Sequence, residues 1–195
     1  MNQKKKLLIL ILVLVLLVAG ASILYNRLGE EWAPEQLAVS ETQPTEATGT
    51  EPPKVLAPDF TVYNLDGNEV KLSDYFGKPI VLNFWASWCG PCKMEMPDFN
   101  EKHQQLGEEV QFLMVNMTDG SRETVEIASA FIEEQGYTFP VFYDTASFAA
   151  YTYGVYSLPT TYFIDAEGHA IAQATSAISG DTLQRGIDMI HKPGM

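Results

Sequence analysis

The sequence predicts an α/β fold with a mixed central sheet covered by helices on both faces. Three observations carry this reading. Short runs rich in β-branched and aromatic residues alternate with segments of helical periodicity. Two hairpin turns, Asp66-Gly67 and Glu167-Gly168, add antiparallel strands near the two ends of that alternation. The run Ile80-Val81-Leu82-Asn83-Phe84-Trp85 carries no charge, as expected of a strand buried in the middle of such a sheet.

The elements follow in order. Thr61-Val62-Tyr63 leads into the Asp66-Gly67 turn, and residues 69–72 return beside it. Ser73 is placed to cap a short helix through Phe76, stopped by Gly77. After the strand 80–85 comes a helix over residues 91–106, ended by Gly107, with Pro97 inside it as an expected kink. Residues 110–116 form a second apolar strand. Thr118 or Ser121 is the expected cap of a helix carrying Val125, Ile127, Ala128, Phe131 and Ile132 at helical spacing, and Gly136 stops it. Residues 139–143 read as a strand and residues 146–153 as a short helix closed by Gly154. Residues 162–164 and 170–174 pair about Glu167-Gly168, and a helix over residues 182–191 closes the chain.

Upstream of this domain the chain changes character twice. Residues 1–6 are short and basic, and residues 7–25 are an uncharged apolar run. As a helix at 1.5 Å per residue that run extends about 28 Å, close to the thickness of a bilayer core. Signal-peptide cores are shorter, about 7–15 residues. Residues 1–25 are therefore expected to be a transmembrane signal anchor that stays attached, although Ala19-Gly20-Ala21 offers a small-residue stretch for cleavage. Neither cysteine lies near that stretch to take a lipid. Lys4, Lys5 and Lys6 should remain in the cytoplasm, which places the remainder outside, where disulfides form and persist. The expected location is the bacterial cell membrane, single-pass, with the folded domain on the extracytoplasmic side. Residues 26–54 are rich in Glu, Pro, Thr, Ala and Gln without apolar periodicity, and read as a disordered linker. The folded domain is expected over residues 55–195.

The formal net charge is −13; without the three N-terminal lysines, 9 basic residues face 25 acidic ones. Such a balance argues against nucleic acid and anionic membrane surfaces as partners and serves solubility. The sequence shows no internal repeat, and a monomer is expected.

Two cysteines in 195 residues stand two apart, in Trp88-Cys89-Gly90-Pro91-Cys92-Lys93. Cys89 falls where a strand ends and a helix begins. Free N–H groups and the positive end of the helix dipole stabilise an anion there, so the Cys89 thiol should ionise early. Cys92 lies one turn further in, more buried and less ionised, as a resolving thiol. Gly90 and Pro91 permit the tight turn, and Pro91 costs no helix bond in the first turn. An inert structural disulfide would constrain the unfolded chain little across so small a loop. A zinc site needs about four ligands, and His103, His169 and His191 show no ligand spacing, so no metal is expected. Glu95, three residues after Cys92, shares its side of the helix and could take the proton that Cys92 must lose.

The segment from Asn83 to Met94 resembles the thioredoxin active site nearly residue for residue, and Leu158-Pro159-Thr160-Thr161-Tyr162-Phe163-Ile164 resembles the thioredoxin cis-proline loop and its following strand. The resemblance covers roughly residues 55–192 and is closest to membrane-anchored thiol-disulfide oxidoreductases of the TlpA/ResA type. It implies a thioredoxin fold with an N-terminal β-hairpin and an inserted helix–strand unit over residues 118–143. It implies catalysis by Cys89 and Cys92, with a glutamate at position 95 where ordinary thioredoxins carry an apolar residue. It implies that Leu158 and a cis Pro159 hold open an edge for a substrate strand, with Trp88, Gly90 and Pro91 as further substrate contacts. No cofactor beyond the Cys89–Cys92 disulfide is implied. The implied partners are disulfide-bonded envelope proteins as substrates and a membrane electron donor of the CcdA/DsbD type.

Two positions depart from the patterns invoked. Thioredoxins keep a buried aspartate where this chain has Asn83, which takes up no proton and serves equally well as core filling. TlpA/ResA-type proteins that serve cytochrome c maturation carry an acidic residue between the cysteines, where this chain has Gly90, as general thioredoxins do. Apocytochrome c, a methionine sulfoxide reductase and other envelope proteins all stay open as substrates. Gly-Pro between the cysteines resembles the reducing members; a thiol oxidant of secreted proteins is the alternative. A peroxiredoxin-like enzyme fits Ala57-Pro58-Asp59-Phe60 but lacks its cysteine motif, and a copper-delivery module of the Sco type would need three residues between the cysteines.

Overall fold

The computed structural model describes residues 38–39 and 54–191. The expected anchor over residues 1–25 lies outside them, and among the described residues no helix is long and apolar enough to cross a membrane.

The strands are β1 (Ala38–Val39), β2 (Thr61–Tyr63), β3 (Glu69–Lys71), β4 (Ile80–Trp85), β5 (Gln111–Asn116), β6 (Val141–Tyr143), β7 (Thr160–Ile164) and β8 (Ala170–Ala174). The helices are α1 (Gly90–Leu106), α2 (Val125–Gln135), α3 (Phe148–Thr152) and α4 (Gly180–Ile190), with a 3-10 turn at Leu72–Tyr75. The described strands form one mixed sheet in the order β1-β8-β7-β4-β5-β6-β2-β3. β4 runs parallel to β5, with Ile80 opposite Gln111, and antiparallel to β7, with Ile80 opposite Ile164.

Period-two alternation on β4 splits the core into two layers. Val81 and Trp85 face one layer, with Cys92, Met96 and Phe99 of α1, Ala128 of α2, and Leu183, Ile187 and Ile190 of α4. Ile80, Leu82 and Phe84 face the other, with Phe60, Val62 and Leu72 and with Ala149 and Ala150 of α3. Every residue of β4 is buried, so the strand that delivers the cysteine pair is fixed from both sides. This is the α/β thioredoxin fold that the alternation and the resemblance predict.

Several local expectations are corrected. Ala38–Val39, inside the stretch read as a disordered linker, forms a strand against Ala172 and Gln173 of β8. Strand addition at a sheet edge uses backbone groups, so it leaves no apolar pattern in the sequence. Ser73 does not cap the short helix: the turn begins at Leu72, Asp74 accepts the Lys71 N–H at 2.9 Å, and Ser73 Oγ donates to Asp59 at 2.9 Å. The cap of α2 is Thr124, whose side chain accepts the Ile127 N–H, rather than Thr118 or Ser121. α4 begins two residues earlier than expected because Ser179 caps it, accepting the Thr182 N–H. Pro97 lies inside α1, as the sequence places it.

Candidate active site

The end of β4 and the start of α1 set the geometry. Cys89 is the N-cap of α1, with extended backbone (φ −78°, ψ 109°), and Pro91 lies in the first turn. The Cys89 N–H donates to Ala86 O at 3.1 Å, which closes the turn out of the strand. The Cys92 N–H donates to Cys89 Sγ at 3.1 Å, so a main-chain donor at the helix terminus already points at the sulfur. Cys89 and Cys92 are joined by a disulfide. Cys89 is 4% exposed and Cys92 fully buried, the order expected for an attacking and a resolving sulfur.

Beside Cys89 runs an open groove of about 450 Å³, lined by Trp88, Gly90, Pro91, Met117, Tyr156 and Leu158 among others. Trp88 is 41% exposed, as suits a contact residue, whereas Phe84 and Trp85 are fully buried. The Leu158–Pro159 peptide is cis, and Leu158 shares the groove with Cys89. Pro159 itself is buried and does not line the groove. The groove thus gathers Trp88, Gly90, Pro91 and Leu158 around Cys89. At Gly90 an added Cβ would meet nothing within 4 Å, so this position has room for a side chain.

Glu95, on α1, is 2% exposed and buried within the core. Its Oε1 accepts from Asn83 Nδ2 and its Oε2 from the Ile178 N–H, both at 2.9 Å. Burial pushes its carboxyl up to about 7, against the lowering effect of those two hydrogen bonds; the Asp98 charge adds a smaller upward push. Residues three apart on a helix have Cβ atoms about 5–6 Å apart, so Glu95 adjoins Cys92 on the buried side of α1. A buried acid that titrates near neutrality beside a thiol is suited to exchange a proton with it. Asn83 links Glu95 to Thr161 of β7, through a second Nδ2 bond of 2.9 Å, and is more than core filling. Its Oδ1 is buried without a hydrogen-bond partner.

Sequence reasoning missed Glu123 entirely. It lies fully buried just before the cap of α2, and its carboxylate accepts the Ser87 N–H at 2.7 Å and the Ser87 hydroxyl at 2.6 Å. One signal could have found it: the residue preceding a helix cap is commonly apolar, to staple the first turn, and here it is acidic.

Comparison with known proteins agrees with the geometry. Residues 53–172 match the AhpC/TSA family. The chain is 36% identical to the thiol-disulfide oxidoreductase ResA of Geobacillus kaustophilus (strain HTA426) over 135 residues, covering 69% of this chain and 75% of that protein. It is 37% identical to the thioredoxin-like protein YneN of Bacillus subtilis (strain 168) over 112 residues, covering 57% and 65% respectively. Among solved structures, the exposed lipoprotein thioredoxin of Streptococcus pneumoniae strain TIGR4 superposes with a TM-score of 0.57 at 34% identity, over 67% of this chain and 98% of that one.

Proposed function

The chain belongs to the AhpC/TSA family, as a thiol-disulfide oxidoreductase similar to ResA, and from that premise we propose that it is a reductase of disulfides in envelope proteins. In this reading residues 1–25 hold it in the bacterial cell membrane with the domain outside, and a membrane electron donor of the CcdA/DsbD type returns its cysteines to the dithiol. The observation that carries the proposal is Cys89 at the N-terminus of α1, bonded to Cys92 and opening on a groove, with Glu95 buried behind the pair.

The chemistry follows from that placement. In the dithiol form the Cys89 thiolate, stabilised by the helix terminus and the Cys92 N–H, attacks one sulfur of a substrate disulfide. A mixed disulfide forms and the other substrate sulfur leaves as a thiolate, which takes a proton from solvent. Cys92 passes its proton to the Glu95 carboxylate and attacks Cys89 Sγ. The Cys89–Cys92 disulfide forms, the second substrate sulfur departs and is protonated, and two electrons have passed to the substrate. The backbone of Leu158 and the face of Trp88 hold the substrate strand across the groove.

The test is to trap substrates on Cys92→Ser in intact cells and, in parallel, to measure the resting state of the wild-type pair. The reductase reading expects a mostly reduced pair, trapped envelope proteins that carry disulfides, and a shift to the disulfide when the membrane donor is removed. A resting pair held as disulfide, with partners that gain disulfides through it, would overturn the reductase reading in favour of an oxidant.

A further inference from the structure

The loop between β5 and α2 does more than connect them. Glu123 is fully buried, and its carboxylate takes three short bonds: from the Ser87 N–H, the Ser87 hydroxyl and, at 2.6 Å, Asn116 Nδ2. All three donors are neutral. A buried carboxylate costs free energy unless its oxygens are saturated by donors, and short charge-assisted bonds of this kind are what offset the cost. Two of the three come from Ser87, two residues before the nucleophile. The residue before Glu123 grips the next position: the Arg122 guanidinium lies over the Trp88 ring, 3.9 Å from its centroid. Consecutive residues of this loop therefore hold consecutive residues of the arm that carries Cys89.

The loop is itself fixed. Asp119 Oδ1 accepts the N–H groups of Ser121, Arg122 and Glu123 at 2.7, 2.7 and 3.0 Å. Asn116, at the end of β5, is held in turn by Thr118, whose hydroxyl donates to Asn116 Oδ1 at 2.8 Å. β5 lies beside β4 in parallel register, with Asn116 opposite Trp85, so the anchor of the loop and the root of the arm belong to one rigid ladder.

We propose that residues 119–123 form a positioning clamp for the nucleophile, with Glu123 holding Ser87 from within and Arg122 holding Trp88 at the surface. In the disulfide form the bond to Cys92 ties Cys89 to α1. On reduction that tie is gone, and the place of Cys89 depends on its backbone turn and on the clamp. A thiolate gains from the helix terminus only within the first turn, so a loosened arm means a less acidic, slower thiol. Glu123 acts through Ser87; it is a positioning residue, and its negative charge works against the thiolate.

That opposition of signs makes the clamp testable. Removing a nearby carboxylate by itself makes a thiol more acidic, whereas losing the clamp makes it less acidic. The thiolate absorbance of Cys89 is titrated in a Cys92→Ser background, and alkylation by iodoacetamide is timed at pH 7. With Glu123→Ala the clamp expects the Cys89 pKa to rise by about one unit and alkylation to slow about fivefold to tenfold. Glu123→Gln keeps the shape and an acceptor for the Ser87 N–H, and should restore both readings to near the parent. Ser87→Ala removes one of the three bonds to the Glu123 carboxylate with no change of net charge, and should raise the pKa by about half as much; it serves equally if Glu123→Ala does not fold. An unchanged or lowered Cys89 pKa in Glu123→Ala, or no change in Ser87→Ala, overturns the clamp.

Discussion

Replacing Glu95 by Gln should stabilise the folded protein at alkaline pH while slowing its chemistry. The Glu95 carboxyl is pushed from 4.5 up to about 7 by burial. A group whose pKa is raised by folding stabilises the fold below its unfolded value, and that contribution is lost as pH rises through its folded value. The loss therefore develops between about pH 4.5 and pH 7 and is complete above it. At about 1.4 kcal/mol per pH unit, the fold carries a penalty of about 3 kcal/mol at pH 8. Gln escapes it. Its amide oxygen can accept the Ile178 N–H, and its NH₂ can donate to Asn83 Oδ1 once the Asn83 amide turns over. Denaturant unfolding of the oxidised proteins from pH 4 to 9 should show wild type losing stability relative to Glu95→Gln up to about pH 7 and then a constant gap. Stopped-flow decay of the mixed disulfide should be slower in the variant by about 10²–10⁴-fold near neutrality, with alkaline pH restoring turnover as Cys92 ionises unaided. Formation of the mixed disulfide should be unaffected. A stability gap that does not vary with pH, or resolution rates within about twofold of each other from pH 6 to 9, refutes the assignment.

Four further outcomes are expected. In Cys92→Ser the Cys89 thiolate should titrate below the ordinary cysteine value of about 8.5, and a midpoint at or above it rules out nucleophilic Cys89. Asn83→Asp sets a second carboxyl within reach of Glu95 Oε1, so the pair should share one proton and the step served by Glu95 should move to higher pH; an unshifted profile of mixed-disulfide decay excludes that coupling. Gly186→Ala drives a Cβ to 2.2 Å from the Phe163 ring across α4 and β7, and urea unfolding should show a loss of about 1–3 kcal/mol or more, a neutral result being incompatible with this packing. The protein extracted from membranes should have the mass of the full chain, since residues 7–25 are long enough to span; a mature N-terminus near Ser22 contradicts an attached anchor.

What could be read from sequence was what neighbours along the chain decide. Cys89 follows an apolar run and precedes a helix with proline in its first turn, so its position as N-cap was legible. The spacing of Glu95 from Cys92 fixed its side of α1, and only its burial and its bonds to Asn83 and Ile178 had to come from the fold. The uncharged run of β4 was legible as a buried strand, and every residue of it is buried; that Trp85 and Phe84 face opposite layers of the core came from the fold. Three hydroxyls within seven residues, Thr118, Ser121 and Thr124, competed to cap α2, and local pattern has no means to rank them. The choice is made by Asp119, which takes the N–H groups of residues 121–123 and carries the chain on to Thr124 before the helix can start.

The same local turn brings Glu123 to Ser87, 36 positions away in sequence. A contact at that separation leaves no period in the chain, and the acidic residue before a helix cap is its only trace. The cysteine motif is complete in six consecutive residues, but the reactivity of its first thiol depends on an arm that those residues do not hold. Positioning has been assigned instead to the inserted unit, where it rests on one buried carboxylate and one guanidinium. The loop that grips the arm also reaches the groove: Asp119 lines it together with Trp88 and Leu158, and Arg122 lies over the Trp88 ring, so a strand that enters there meets the same loop that holds the sulfur in place.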